Sequence, residues 1–132
     1  MSDGTWKWIG EDTVLAIHDA QLAEHGGRSG MRDPALMQSA LARPRNLAAY
    51  GESDAARLAA AYAWGLVRNH AFADGNKRTA FVVVLVFLLD NGFAFIGEDA
   101  ESVTAMLALA SGEMEEETFA AWLRARIQPA AA

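Results

Sequence analysis

The chain contains no cysteine, only three prolines and no apolar run long enough to cross a membrane. Without cysteine there is no disulfide scaffold, no thiol nucleophile and no Cys-ligated zinc. The longest apolar run, Ala80 to Leu89, is half the roughly 20 residues that a bilayer demands. The N-terminal MSDGTWKWIG lacks a basic stretch followed by an apolar core, so no signal peptide is expected and the cytoplasm is the expected location. A basic surplus is missing too. Eleven Lys and Arg stand against 17 Asp and Glu, a net charge of -6, which argues against nucleic-acid binding. With 52% apolar and 21% charged residues the chain is not a disordered tail. Its 132 residues make one domain. At that length roughly two-thirds of the unfolded surface is buried on folding, so a core forms without staples.

The charge is unevenly spread. Residues 28–78 hold eight basic side chains (Arg28, Arg32, Arg43, Arg45, Arg57, Arg68, Lys77, Arg78) and four acids (Asp33, Glu52, Asp54, Asp74), a local surplus of +4. The rest of the chain sums to -10. The central stretch is the place to seek an anionic ligand.

Hydrophobic spacing is mostly helical. Glu11 to Glu24 carries Val14, Leu15, Ile17, His18 and Leu22 near helical period, and His25-Gly26-Gly27 stops it. Asp33-Pro34 starts a second helix as N-cap and N1 proline, expected to end near Ala42, before Pro44. Asn46 to Ser53 reads as a loop or short hairpin. Asp54 caps a third helix, to about Asn69, with Leu58, Tyr62 and Leu66 on one face. Lys77 to Asp90 is apolar almost all round. Its valines suit a strand, but its length suits a helix, and such a helix is expected at the centre of the core. Phe93 to Ile96 reads as a short extended piece, followed by helices over Asp99 to Ala110 and Glu115 to Ile127. The expected fold is all-α, about six helices around a buried central helix.

The break His70-Ala71-Phe72-Ala73-Asp74-Gly75-Asn76-Lys77-Arg78 joins two apolar helices, so its ends are rigidly held. Gly75 can take a positive φ, and Asn76 is a good N-cap. The free N–H groups of the next helix would then point into the break and suit a phosphate. Lys77 and Arg78 oppose the helix dipole there by about 0.3–1 kcal/mol each, a sign that a bound anion reverses. Asp74 beside a phosphate suits Mg²⁺, and the imidazole of His70 can take a proton from a hydroxyl.

Each residue also has a plainer reading. His70 can be a helix C-cap, Asp74 a turn residue paired with Lys77 or Arg78, Phe72 core and Arg68 a solvated face residue. Two cations at a helix N-terminus resist that reading. His18-Asp19 is half of a metal-phosphohydrolase pattern, but the required earlier histidine is missing, so His18 is expected in the core or as a cap. Trp6-Lys7-Trp8 is expected to pack. No Walker A or protein-kinase pattern occurs.

The nine-residue break resembles the signature of the Fic/Doc family, His-x-Phe-x-(Asp/Glu)-(Gly/Ala)-Asn-(Gly/Lys)-Arg, and matches it at His70, Phe72, Asp74, Gly75, Asn76, Lys77 and Arg78. Val14 to Pro44 is similar to the N-terminal half of the Doc (death-on-curing) branch, so the resemblance covers most of the chain and implies a single Fic-fold domain over residues 1–132. It implies ATP and Mg²⁺ as cosubstrate and cofactor, His70 as catalytic base and Asp74 as metal ligand. Gly75, Asn76, Lys77 and Arg78 would form the anion hole, with Arg68 as a further phosphate contact. The Asn46 to Ser53 loop sits where the family has a target-aligning flap. Most Fic proteins have glycine in place of Lys77 and transfer AMP. Lysine, as in Doc-like members, implies that the γ-phosphate is presented, and transferred to a threonine of elongation factor Tu. Gly75 departs from the alanine that Doc-type signatures can carry and keeps AMP transfer as the alternative. A further alternative is a catalytically idle module that pairs with an antitoxin. The family's own inhibitory motif, (Ser/Thr)-x-x-x-Glu-(Gly/Asn), is missing: Ser111 to Glu115 comes closest, but Glu116 follows. A separate antitoxin partner is therefore implied, with no nucleic acid or membrane contact.

Overall fold

The computed structural model describes residues 6–131. Met1 to Thr5, where the leader was sought, and Ala132 of the terminal alanines lie outside the described residues. Among the described residues six helices run in the order α1 (Glu11–His25), α2 (Pro34–Ala49), α3 (Ala55–Asn69), α4 (Asn76–Asp90), α5 (Asp99–Ser111) and α6 (Glu116–Arg124). Strand β1 (Phe93–Phe95) pairs antiparallel with β2 (Ile127–Pro129), Phe93 opposite Pro129 and Phe95 opposite Ile127. The fold is all-α with this one small ribbon. The ribbon replaces the last turn expected of the sixth helix, because Ile127 finds backbone partners on β1 instead.

Helix α3, rather than α4, is the central one. Eleven of its fifteen residues are buried, from Ala55 through Val67. Its alanines and glycine allow close packing: a Cβ on Gly65 would sit 3.1 Å from the Ala40 Cα of α2. The all-round apolar α4 buries Thr79, Ala80, Val83, Val84, Phe87 and Leu88, while Phe81, Val82, Leu85 and Val86 are half-buried and Leu89 is 62% exposed. Uniform apolarity showed that α4 packs, but not how completely.

Two boundaries differ from the sequence reading. Helix α2 continues through Pro44 to Ala49. An interior proline costs about 3 kcal/mol; here Leu41, Pro44 and Ala48 are all buried, and that packing offsets it. Asn46 to Ala49 is therefore helical, and the loop expected over Asn46 to Ser53 shrinks to Tyr50 to Ser53, with Tyr50 94% exposed. Trp6 and Trp8 do pack, each stacked 5.9 Å from the Phe87 ring.

Candidate active site

The signature loop leaves α3 at His70, the helix C-cap, whose N–H reaches the Leu66 carbonyl at 3.2 Å. His70 adopts φ 53°, ψ 54°, the one non-glycine residue with positive φ among the described residues. Such a conformation costs of order 1–3 kcal/mol and persists only where surrounding contacts hold it. The C-cap reading of His70 is thus geometrically correct, and it leaves the ring on the exposed side of the loop.

Phe72 anchors the loop. It is 2% exposed and its ring stacks 3.8 Å from the His18 imidazole of α1. His18 is itself 3% exposed, and its Nε2 donates to the Asp74 carbonyl at 2.8 Å, so it is a core residue and a loop tether. Among the described residues no group of three or more His, Asp or Glu side chains is poised to hold a metal.

Gly75, at φ 77°, is the N-cap of α4, and Asn76 is the first helical residue. The expected capping role of Asn76 is therefore replaced by another. Its Oδ1 accepts from the Phe72 N–H at 3.1 Å and its Nδ2 donates to the Phe72 carbonyl at 3.0 Å. The side chain closes the loop on itself, and only the Asn76 backbone remains for an anion. The first intrahelical bond runs from Thr79 N–H to the Gly75 carbonyl at 3.0 Å, so the N–H groups of Asn76, Lys77 and Arg78 have no intrahelical acceptor. Lys77 and Arg78 are exposed, and no ion pair among the described residues engages either.

Asp74 does not pair with those cations. Its Oδ2 accepts the Arg28 backbone N–H at 3.2 Å and its Oδ1 accepts the Gly75 N–H at 3.0 Å. The Arg28 N–H, then that of Gly75, and after them the charges of Arg28 and Arg78 hold the carboxyl below the usual range. A half-buried, ionised carboxylate beside free N–H groups fits Mg²⁺ of the kind that takes one protein carboxylate and completes its shell with phosphate oxygens and water. It does not fit an all-protein metal cage.

Arg68 does not converge on this loop. It lines a separate cleft with Arg43, Arg57, Trp64 and Glu116, and its guanidinium lies beside Gly112 at the end of α5. The sequence reading also missed a strap, residues 26–33, that runs along the loop. Arg32 N–H donates to the Ala71 carbonyl at 2.8 Å, Ala73 N–H donates to the Gly30 carbonyl at 3.0 Å, and Met31 forms an antiparallel bridge with Phe72. The Gly-Gly step and two arginines of HGGRSGMR were the available signal.

The family model of the Fic/DOC family matches residues 8–88, well over half of the chain. The chain belongs to the Fic/Doc family. Among its relatives, the "Protein kinase doc" of Escherichia phage P1 is 33% identical over 119 residues, 89% of this chain and 94% of the relative. The "Toxin Doc" of Mycolicibacterium smegmatis is 46% identical over 70 residues, 51% of this chain and 53% of the relative. Both similarities place the chain in the Doc branch of the Fic/Doc family. The matched span, 8–88, contains α1, the strap, the signature loop and all but the last two residues of α4, the elements that build the candidate site.

Proposed function

We propose that this Fic/Doc chain is a Doc-like toxin that transfers the γ-phosphate of ATP to a hydroxyl of a target protein. The observation that carries the reading is the pair Lys77 and Arg78, exposed cations without an ion pair among the described residues, at the N-terminus of α4 with its free N–H groups, on the same loop that carries Asp74 and the exposed His70. A triphosphate turns that electrostatic conflict into attraction. The relatives named protein kinase and toxin support the same reading.

In this account His70 takes the proton as the hydroxyl oxygen bonds to phosphorus and ADP leaves. The α4 N–H groups, Lys77 and Arg78 hold the phosphates. Asp74 is the residue that would hold Mg²⁺, which supplies charge neutralisation to the phosphates. The protein's contribution is positioning and electrostatics rather than covalent chemistry. Elongation factor Tu is the proposed target, an antitoxin the proposed partner and the cytoplasm the proposed location. Among the described residues no helix is long and apolar enough to cross a membrane.

Expression in a bacterial host tests the reading. The wild-type chain is expected to arrest growth and translation, and His70→Ala to be harmless. Equal arrest by His70→Ala would point instead to a non-catalytic binding module. Lys77→Gly is expected to weaken γ-phosphate transfer; unchanged transfer would refute the role given to Lys77.

A further inference from the structure

The register of the strap sets Arg32 beside His70. The Arg32 Nη1 lies 2.8 Å from the His70 carbonyl oxygen and 3.4 Å from the His70 Nδ1. The carbonyl closes α3, where the negative end of the helix dipole favours a cation. A guanidinium has donors only and stays protonated in proteins. The Nδ1 facing it must therefore offer its lone pair, so the neutral ring carries its proton on Nε2.

A general base needs a free lone pair within reach of the hydroxyl. In this arrangement neither ring nitrogen has one: Nδ1 is engaged by Arg32, and Nε2 bears hydrogen. The conclusion is the same whichever nitrogen meets the hydroxyl. Arg32 is exposed and no carboxylate among the described residues holds it in an ion pair. The anion site at the start of α4 belongs to the same loop, and a planar guanidinium binds phosphate bidentately and more strongly than it binds a neutral imidazole.

We propose that Arg32 is a positioning residue that holds His70 in a silent tautomer while the nucleotide site is empty, and releases the ring when its guanidinium turns to the phosphates. The base is thereby armed only with nucleotide in place. This inference rests on the reading of His70 as the base.

The test reads the ring itself, by NMR of the full chain carrying ring-¹⁵N histidine, with the His70 signals assigned by their loss in His70→Ala. Without ligand, the wild type is expected to show Nε2 protonated and Nδ1 accepting a hydrogen bond. The β,γ-imido analogue of ATP with Mg²⁺ is expected to shift the Nδ1 signal away from that position. In Arg32→Ala the shifted position is expected without ligand, with no further movement on adding the analogue. Arg32→Lys keeps the charge but cannot span carbonyl and ring together; it is expected to give the Arg32→Ala spectrum while regaining analogue affinity. Identical His70 spectra of wild type and Arg32→Ala without ligand would overturn the proposal, as would the same analogue-induced shift in both. A His70→Ala chain that still transfers phosphate would overturn the base reading alone and leave the spectroscopic result standing.

Discussion

His18, on the first helix, donates from Nε2 to the backbone carbonyl of Asp74, 56 residues later, at 2.8 Å. The contact ties the loop position proposed to hold Mg²⁺ to a helix that carries none of the signature. His18→Leu removes the donor and strands a carbonyl, which costs about 1–3 kcal/mol. His18→Gln keeps an N–H donor and is expected to lose less. Chemical denaturation of both variants checks the order, and equal stability of His18→Leu and wild type would contradict the tether.

Gly27 lies in the strap at φ +122°, and a Cβ there would stand 3.0 Å from the Asp74 Oδ2. Gly27→Ala strains the backbone by of order 1–3 kcal/mol and displaces the carboxylate. The expected outcome is a lower denaturation midpoint together with a higher Mg²⁺ concentration for half-maximal transfer. An unchanged Mg²⁺ dependence would show that Asp74 need not sit where the strap puts it.

Glu116, at the start of α6, is 8% exposed and bridges two helices: it accepts from Arg43 Nε at 3.0 Å and from Arg57 Nη1 at 2.9 Å. Breaking a fully buried pair costs about 3–5 kcal/mol. Arg43 keeps 37% of its side chain exposed and can rehydrate, so the loss in Glu116→Ala is expected below that range, about 2 kcal/mol. Equilibrium unfolding measures it. The nine-residue α6 is expected to loosen first, seen as faster amide exchange at Phe119 and Leu123.

Tyr62 is buried in α3 and its hydroxyl accepts the Ile9 N–H at 2.9 Å. Burial pushes the phenol from 10.0 up to about 12, against smaller lowering effects of the Ile9 N–H and the Arg45 charge. A folded pKa above the unfolded one contributes stability that is complete below pH 10 and is lost as the pH rises toward 12. Tyr62→Phe is expected to cost about 1–3 kcal/mol at pH 8 by orphaning the N–H, and to flatten the alkaline decline. Denaturation curves at pH 8 and pH 11 check both effects.

The sequence disclosed most of the helices and the signature loop, because helical period, the Asp33-Pro34 and Asp54 caps and the Asp74-Gly75 turn are local signals. It misjudged Pro44, because the penalty of an interior proline is local whereas the burial of Leu41, Pro44 and Ala48 that offsets it is tertiary. It assigned Asn76 a cap, the commonest use of asparagine there, whereas the structure spends the side chain on both backbone groups of Phe72. Arg68 was drawn to the site by nearness in sequence to His70, but its side chain points into another cleft. Arg28 and Arg32 were counted in the positive stretch without being placed, since the strap meets the loop only through contacts some 40 residues apart in sequence. The local surplus of +4 nevertheless marked the region in which these cations gather.

The most direct test of the central claim is the fate of the phosphates of ATP. The purified chain is incubated with cell extract, Mg²⁺ and ATP labelled at either the α- or the γ-phosphate, beside His70→Ala. The account predicts label on a protein from γ only, and none with His70→Ala. Protein labelled from α would contradict it in favour of AMP transfer, and undiminished γ-labelling by His70→Ala would remove His70 from the chemistry.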